Sequence, residues 1–193
     1  FVDQSTLPAE IIAVAPRDDL AVLRVRAPDP LPTCRLGASG DILIGETVVA
    51  IGNPLGLEHT VTTGIVSAIN RELRFRDVTY QGLIQTDAPI NPGNSGGPLL
   101  NINAELIGIN TAIRGDAQNI GFAIPISRLV DLLPSMLDLE RRQRVRVGLA
   151  VDARTPRVTA VRPETPAAAA ELRPGDVLER FNGTALASGI DYY

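Results

Sequence analysis

Lysine and tryptophan are absent from this chain, and histidine, cysteine and methionine occur once each. A single cysteine, Cys34, excludes an internal disulfide. Its neighbours Pro30, Pro32 and Arg35 read as a loop, and it is assigned no role. No apolar run reaches the roughly 20 residues that a membrane-spanning helix requires, and no signal peptide is visible. The 18 basic residues, all arginine, face 22 acidic ones, for a net charge of −4. That balance supplies no basic surplus for nucleic acid or an anionic membrane surface. The all-arginine usage reads as compositional bias rather than chemistry. No cofactor and no metal are expected. The 193 residues are 45% hydrophobic, enough for one or two cored domains.

What is present centres on one string, Asp87-Ala88-Pro89-Ile90-Asn91-Pro92-Gly93-Asn94-Ser95-Gly96-Gly97-Pro98. A serine hydroxyl is a weak nucleophile until a base removes its proton, and the developing oxyanion needs backbone N–H donors. Gly93 can take the turn that would aim its own N–H, with those of Asn94 and Ser95, at one point. Gly96 and Gly97 let the chain pass close by without a Cβ clash. The same glycine-serine pattern occurs in the nucleophile elbow of α/β-hydrolases, which requires a helix straight after the serine. Pro98-Leu99-Leu100 reads as a strand, so that alternative is rejected.

An acid leads the strand-like run Asp19-Leu20-Ala21-Val22-Leu23. A triad acid must be fixed and shielded to orient an imidazole. Asp19 is the candidate, and Asp18 is read as a solvated turn residue. The only histidine, His59, follows Asp19 in a loop-like stretch and suits an exposed loop better than a catalytic base.

With these pieces the chain resembles the HtrA/DegP family of trypsin-like serine proteases. Asp19-Leu20-Ala21-Val22-Leu23, Gly45-Glu46-Thr47-Val48-Val49-Ala50-Ile51-Gly52-Asn53-Pro54, Thr63-Gly64-Ile65-Val66-Ser67, Asn94-Ser95-Gly96-Gly97, Leu106-Ile107-Gly108-Ile109-Asn110 and Gly121-Phe122-Ala123-Ile124-Pro125 carry the likeness. The resemblance implies a mainly β protein: a chymotrypsin/trypsin-like double β-barrel, incomplete at its N-terminus, then a linker helix and a partial PDZ domain. The expected domains are residues 1–142 and 143–193.

It further implies a serine endopeptidase of protein quality control that cleaves unfolded or misfolded polypeptides, with Asp19 and Ser95 catalytic and Gly93, Asn94 and Ser95 forming the oxyanion hole. Ile90, Ile109, Thr111 and Ala123 would line an apolar, shallow pocket, giving cleavage after Val, Ala, Ile or Leu. The family sets its histidine on a segment preceding these strands. The chain is therefore expected to be truncated and nearly inert as it stands, the alternative being an inactive binding or chaperone scaffold. A homotrimer and a periplasmic or cell-envelope location are further expectations from the family.

Strand-like runs are read at residues 10–14, 20–25, 46–51, 61–69, 82–86 and 105–113. The first clear helix is expected after Pro125, capped by Ser127, kinked or restarted at Pro134 and continuing to about Arg142. Glu140-Arg141-Arg142-Gln143-Arg144 reads as a solvated linker. Beyond it, 145–151 reads as a strand, 163–172 as a short helix, and Arg173-Pro174-Gly175-Asp176-Val177-Leu178 as a turn and strand. These resemble the first half of a PDZ domain, in which Val147, Gly148 and Leu149 would bind the carboxylate of a peptide C-terminus. Residues 145–193, lacking the second groove helix, are expected to be the less stable part.

Overall fold

The computed structural model describes residue 1 and residues 5–38, 40–53, 60–75, 77–111, 119–138, 140 and 144–193. It divides into two compact units, Phe1–Leu129 and Val130–Tyr193. In the first, β1 (Ala9–Ala15) and β2 (Leu20–Val25) form an antiparallel ribbon joined by a tight turn. A larger sheet holds β3 (Arg35–Leu36), β4 (Thr47–Gly52), β5 (Thr60–Phe75), β6 (Val78–Thr86), β7 (Pro98–Asn101), β8 (Glu105–Thr111) and β9 (Gly121–Pro125). Its strand order is β3-β8-β7-β4-β5-β6-β9, and β8 also pairs with β9. That extra pairing closes β4 to β9 into a six-stranded barrel, which leaves none of the six with an open edge.

Alternation fills the barrel. In β4, Val48 and Ala50 are fully buried while Thr47 is exposed. They pack with Val66, Ile84, Leu99, Ile107 and Ala123. The strand-rich reading and the strand after the serine loop are both observed; β7 pairs with β4 and β8. The fifth and sixth strands run further than expected. Residues 70–75 carry three charged side chains and look like loop in the sequence, yet they belong to β5. An exposed hairpin needs only backbone pairing and solvated side chains, and Arg71 Nε donates to Gln85 Oε1 across it at 2.9 Å. Three register shifts twist this hairpin.

Helix α1 (Ile126–Met136) is shorter than expected and ends well before Arg142. Ser127 lies one residue inside it and is not its cap. Pro134 is tolerated within the last turn, where it removes one N–H donor; Leu137 N–H still donates to Leu133 O at 2.8 Å.

In the second unit β10 (Leu149–Val151) pairs antiparallel with β11 (Val158–Val161). Helix α2 (Pro166–Ala169) has Thr165 as its N-cap and proline in its first turn. β12 (Arg180–Phe181) and β13 (Thr184–Ala185) form a hairpin turned by Asn182 and Gly183, both at positive φ. The strand expected from residue 145 begins only at Leu149, because Gly148 sits at φ 82°. At residues 177–178 a single bridge, Arg157 to Val177, replaces the expected strand. The ring of Tyr192 is buried against Phe181 and Tyr193, with centroids 5.1 and 5.0 Å away.

Two outcomes follow. Leu99→Ala, which empties a fully buried site in the barrel, should cost about 3 kcal/mol in urea unfolding. Burial pushes the Tyr192 hydroxyl up from 10.0 to about 12. The folded state therefore holds this proton where the unfolded chain has lost it. Its contribution to stability is full below pH 10 and falls as pH rises toward 12. Tyrosinate absorbance should show at least one of the three tyrosines titrating only with loss of structure in this unit.

Candidate active site and peptide groove

The serine loop is built from buried polar side chains at its two ends. Thr86 closes β6 and is fully buried. Its Oγ1 donates to Ile65 O at 2.7 Å and accepts from Ala88 N at 3.0 Å. Asp87 Oδ1 accepts from Ile65 N at 2.6 Å. Asn94, 1% exposed, sends Nδ2 back to Pro89 O at 3.2 Å. The loop from 86 to 94 is thus braced along its length. Gly93 is at φ 108°, a conformation closed to most side chains, and Gly93 O accepts from Asn53 N at 3.1 Å. At Gly97 a Cβ would lie 2.2 Å from Ile51 O, so only glycine permits this approach to β4. Ser95, exposed, sits at the turn between.

Asn110 and Thr111, consecutive at the end of β8, tie this loop to the acid. Asn110 O accepts from Gly96 N at 2.8 Å, and Asn110 N donates to Gly97 O at 2.9 Å. Asn110 Nδ2 reaches Pro98 O at 2.9 Å. One residue on, Thr111 Oγ1 donates to Asp19 Oδ2 at 3.0 Å. One strand end therefore positions both candidate catalytic residues. Asp19 sits at φ 55° at the start of β2 and is exposed rather than shielded.

Other expectations change. Asp18 is not a solvated turn residue: Arg128 Nε and Nη2 both donate to its Oδ1, at 2.8 and 2.6 Å. Asn94 N–H is spent on Asn91 O at 3.0 Å and so is not free for an oxyanion. The Thr111 hydroxyl, expected in the pocket wall, is committed to Asp19. Ala123 has no exposed surface and belongs to the barrel core. Ile90 packs against that core while remaining partly exposed, and Ile109 is partly exposed, so these two remain as pocket candidates. His59 lies outside the described residues, as do Ala112 and Ile113.

Residues 1–109 match the trypsin-like peptidase domain, and residues 157–193 match the PDZ domain. This chain belongs to the trypsin-like serine peptidases, of the HtrA/DegP type. It is 38% identical to a putative serine protease, HhoB, of Synechocystis, over 98% of this chain and 51% of that protein. It is 39% identical to periplasmic serine endoprotease DegP of Escherichia coli K12, over 96% of this chain and 43% of that one. Protease Do-like 1, chloroplastic, of Arabidopsis thaliana is 37% identical over the whole chain and 50% of its own length. The chain thus spans about half the length of these relatives. The solved HtrA-type protease AlgW with a decapeptide aligns with 95% of this chain and 60% of its own, at 37% identity and a TM-score of 0.63.

In the second unit of this HtrA-type chain, the segment Val147-Gly148-Leu149 is not a plain strand. Gly148 packs so tightly on Thr165 that a Cβ would lie 2.1 Å from Thr165 Oγ1. Val147 and Gly148 N–H groups both donate to Glu140 Oε1, at 3.0 and 2.5 Å. Arg162 donates to Glu140 Oε2. The Arg162 bond, then the Gly148 and Val147 amides, hold the Glu140 carboxyl below its ordinary range. Glu140 is therefore not a free member of a solvated connector. An open cleft of about 340 Å³ adjoins it, lined by Pro134, Asp138, Leu149, Ala160 and Tyr193.

Sequence reading missed Thr86, Asn110 and Glu140, whose roles rest on partners 21, 12 and 7 or more residues away. Thr86→Val keeps the shape of a fully buried side chain but strands Ala88 N and leaves Ile65 O with only the long bond from Asp87 N, at 3.4 Å. It should lower the urea midpoint by an amount worth about 2 kcal/mol, with an unchanged denaturant slope.

Proposed function

We propose that these residues form the acid-and-nucleophile half of an HtrA-type serine endopeptidase that cleaves unfolded or misfolded polypeptides. The observation that carries the reading is the coupling of Asp19 to the Ser95 loop through consecutive residues, Thr111 and Asn110. Asp19 orients an imidazole that takes the Ser95 proton. Ser95 Oγ then attacks the substrate carbonyl and forms a C–O bond. The tetrahedral oxyanion is met by the Gly93 and Ser95 backbone donors. The C–N bond breaks as the imidazolium returns the proton to the leaving amine, and water hydrolyses the resulting acyl ester. Asn94 acts behind the loop, bracing it through Pro89 O.

The imidazole is supplied from the segment that precedes these strands in the family, not by His59. The chain of residues 1–193 alone is accordingly proposed to be nearly inert. Ile90 and Ile109 give the primary pocket an apolar wall, favouring Val, Ala, Ile or Leu before the cleaved bond. Residues 1–142 are proposed as the peptidase part and 143–193 as a PDZ-type part that binds peptide C-termini. The periplasmic relatives support an envelope location, and a homotrimer is part of the same proposal.

In the full-length protein, Ser95→Ala should reduce kcat on an unfolded casein-type substrate by about 10⁶-fold, and Asp19→Asn by about 10⁴-fold. Thr111→Val, removing the hydroxyl that holds Asp19, should lower kcat about 10-fold with KM little changed. Unchanged hydrolysis in Ser95→Ala would remove Ser95 as the nucleophile, and no hydrolysis by the full-length wild type would leave the inactive-scaffold alternative.

A further inference from the structure

The loop expected to receive a ligand's carboxylate already holds one from its own chain. Two converging backbone N–H groups and one guanidinium surround Glu140, which is the donor set that a free carboxylate would need. The Glu140 side chain is 16% exposed, while Arg162 is 60% exposed and open to a second acceptor. A second internal contact lies on the adjoining strand. Tyr193 Oη donates to Val151 O and accepts from Val151 N, both at 3.0 Å. Val151 ends β10, three residues past Gly148, so its backbone N–H and C=O, candidates to pair with an added strand, are also engaged from within.

We propose that Glu140 is an internal competitor for the terminal carboxylate of a peptide ligand, and that Arg162 clamps whichever carboxylate occupies the loop. The proposal rests on the PDZ-type reading above. Glu140 lies only seven and eight residues before its amide partners, so its effective concentration at the loop is high. An incoming peptide must displace it, and its apparent affinity falls by the fraction of molecules in which the loop is open. The ligand class is a peptide with a free α-carboxylate and a small apolar last residue, which fits a cleft bordered by Leu149 and Ala160.

The test uses the full-length protein and a fluorescent decapeptide ending in Ala-Val, as free acid and as C-terminal amide, followed by anisotropy. Glu140→Gln should bind the free acid at least about fivefold more tightly than wild type, with no change for the amide. Glu140→Asp, too short to span the loop, should behave likewise and guards against a folding defect in either variant. Arg162→Gln combined with Glu140→Gln should weaken the free acid about 10-fold relative to Glu140→Gln alone. If wild type and both Glu140 variants prefer the acid over the amide with equal affinity, internal competition is wrong while peptide-terminus binding stands. If none of them distinguishes acid from amide, the PDZ-type reading itself fails.

Discussion

Closure of the barrel at β8 is the constraint on which the candidate active site depends. β8 pairs with β7 on one side and β9 on the other, so its end cannot shift without opening the barrel. From that anchored end, Asn110 grips Gly96 and Gly97, and Thr111 grips Asp19. The acid and the nucleophile loop come from chain segments about 75 residues apart, and neither could place the other by local forces. Burying Asn110 Nδ2 and Thr111 Oγ1 costs little because they reach a backbone carbonyl and a carboxylate. An apolar residue at either place would fill the space and lose the connection.

The second unit uses the same principle on a shorter scale. A glycine at φ 82° turns the 147–149 segment so that successive N–H groups face one point, and Thr165 backs that turn. Such a nest attracts any nearby carboxylate, and Glu140 is within reach. Desolvated N–H groups are costly to leave unpaired, so an internal partner stabilises the loop when no ligand is present. In the proposed reading, peptide binding and loop stability are thereby set against each other at one site.

Much of the fold was legible because burial imposes a simple period. The β-branched runs at 10–14, 20–25 and 46–51 alternate or stay apolar, and each became a strand within a residue or two. The exposed half of the β5–β6 hairpin was not legible, since a solvated ribbon carries no apolar period. Ser127 was misread as a cap because a serine before an apolar run looks alike whether the helix starts before or after it; here β9 runs straight into α1. Of the site, Ser95 and Asp19 stood out from their glycines and their following strand. Asn110, Thr86 and Glu140 did not, because an amide, a hydroxyl or a carboxylate in a run of ordinary residues shows no partner until the chain has folded.

The sequence by itself determined a β-rich trypsin-like peptidase chain, the serine loop, the leading acid and the glycine turns, since these rest on steric and periodic rules that act between near neighbours. Only the tertiary structure decided which groups hold them: Thr111 for Asp19, Asn110 for the Ser95 loop, Arg128 for Asp18, Glu140 for the Val147-Gly148 turn. The reason is that a hydrogen bond or ion pair is specified by position in space to a few tenths of an ångström, and residues 7 to 110 apart in the chain acquire such positions only once the chain has folded.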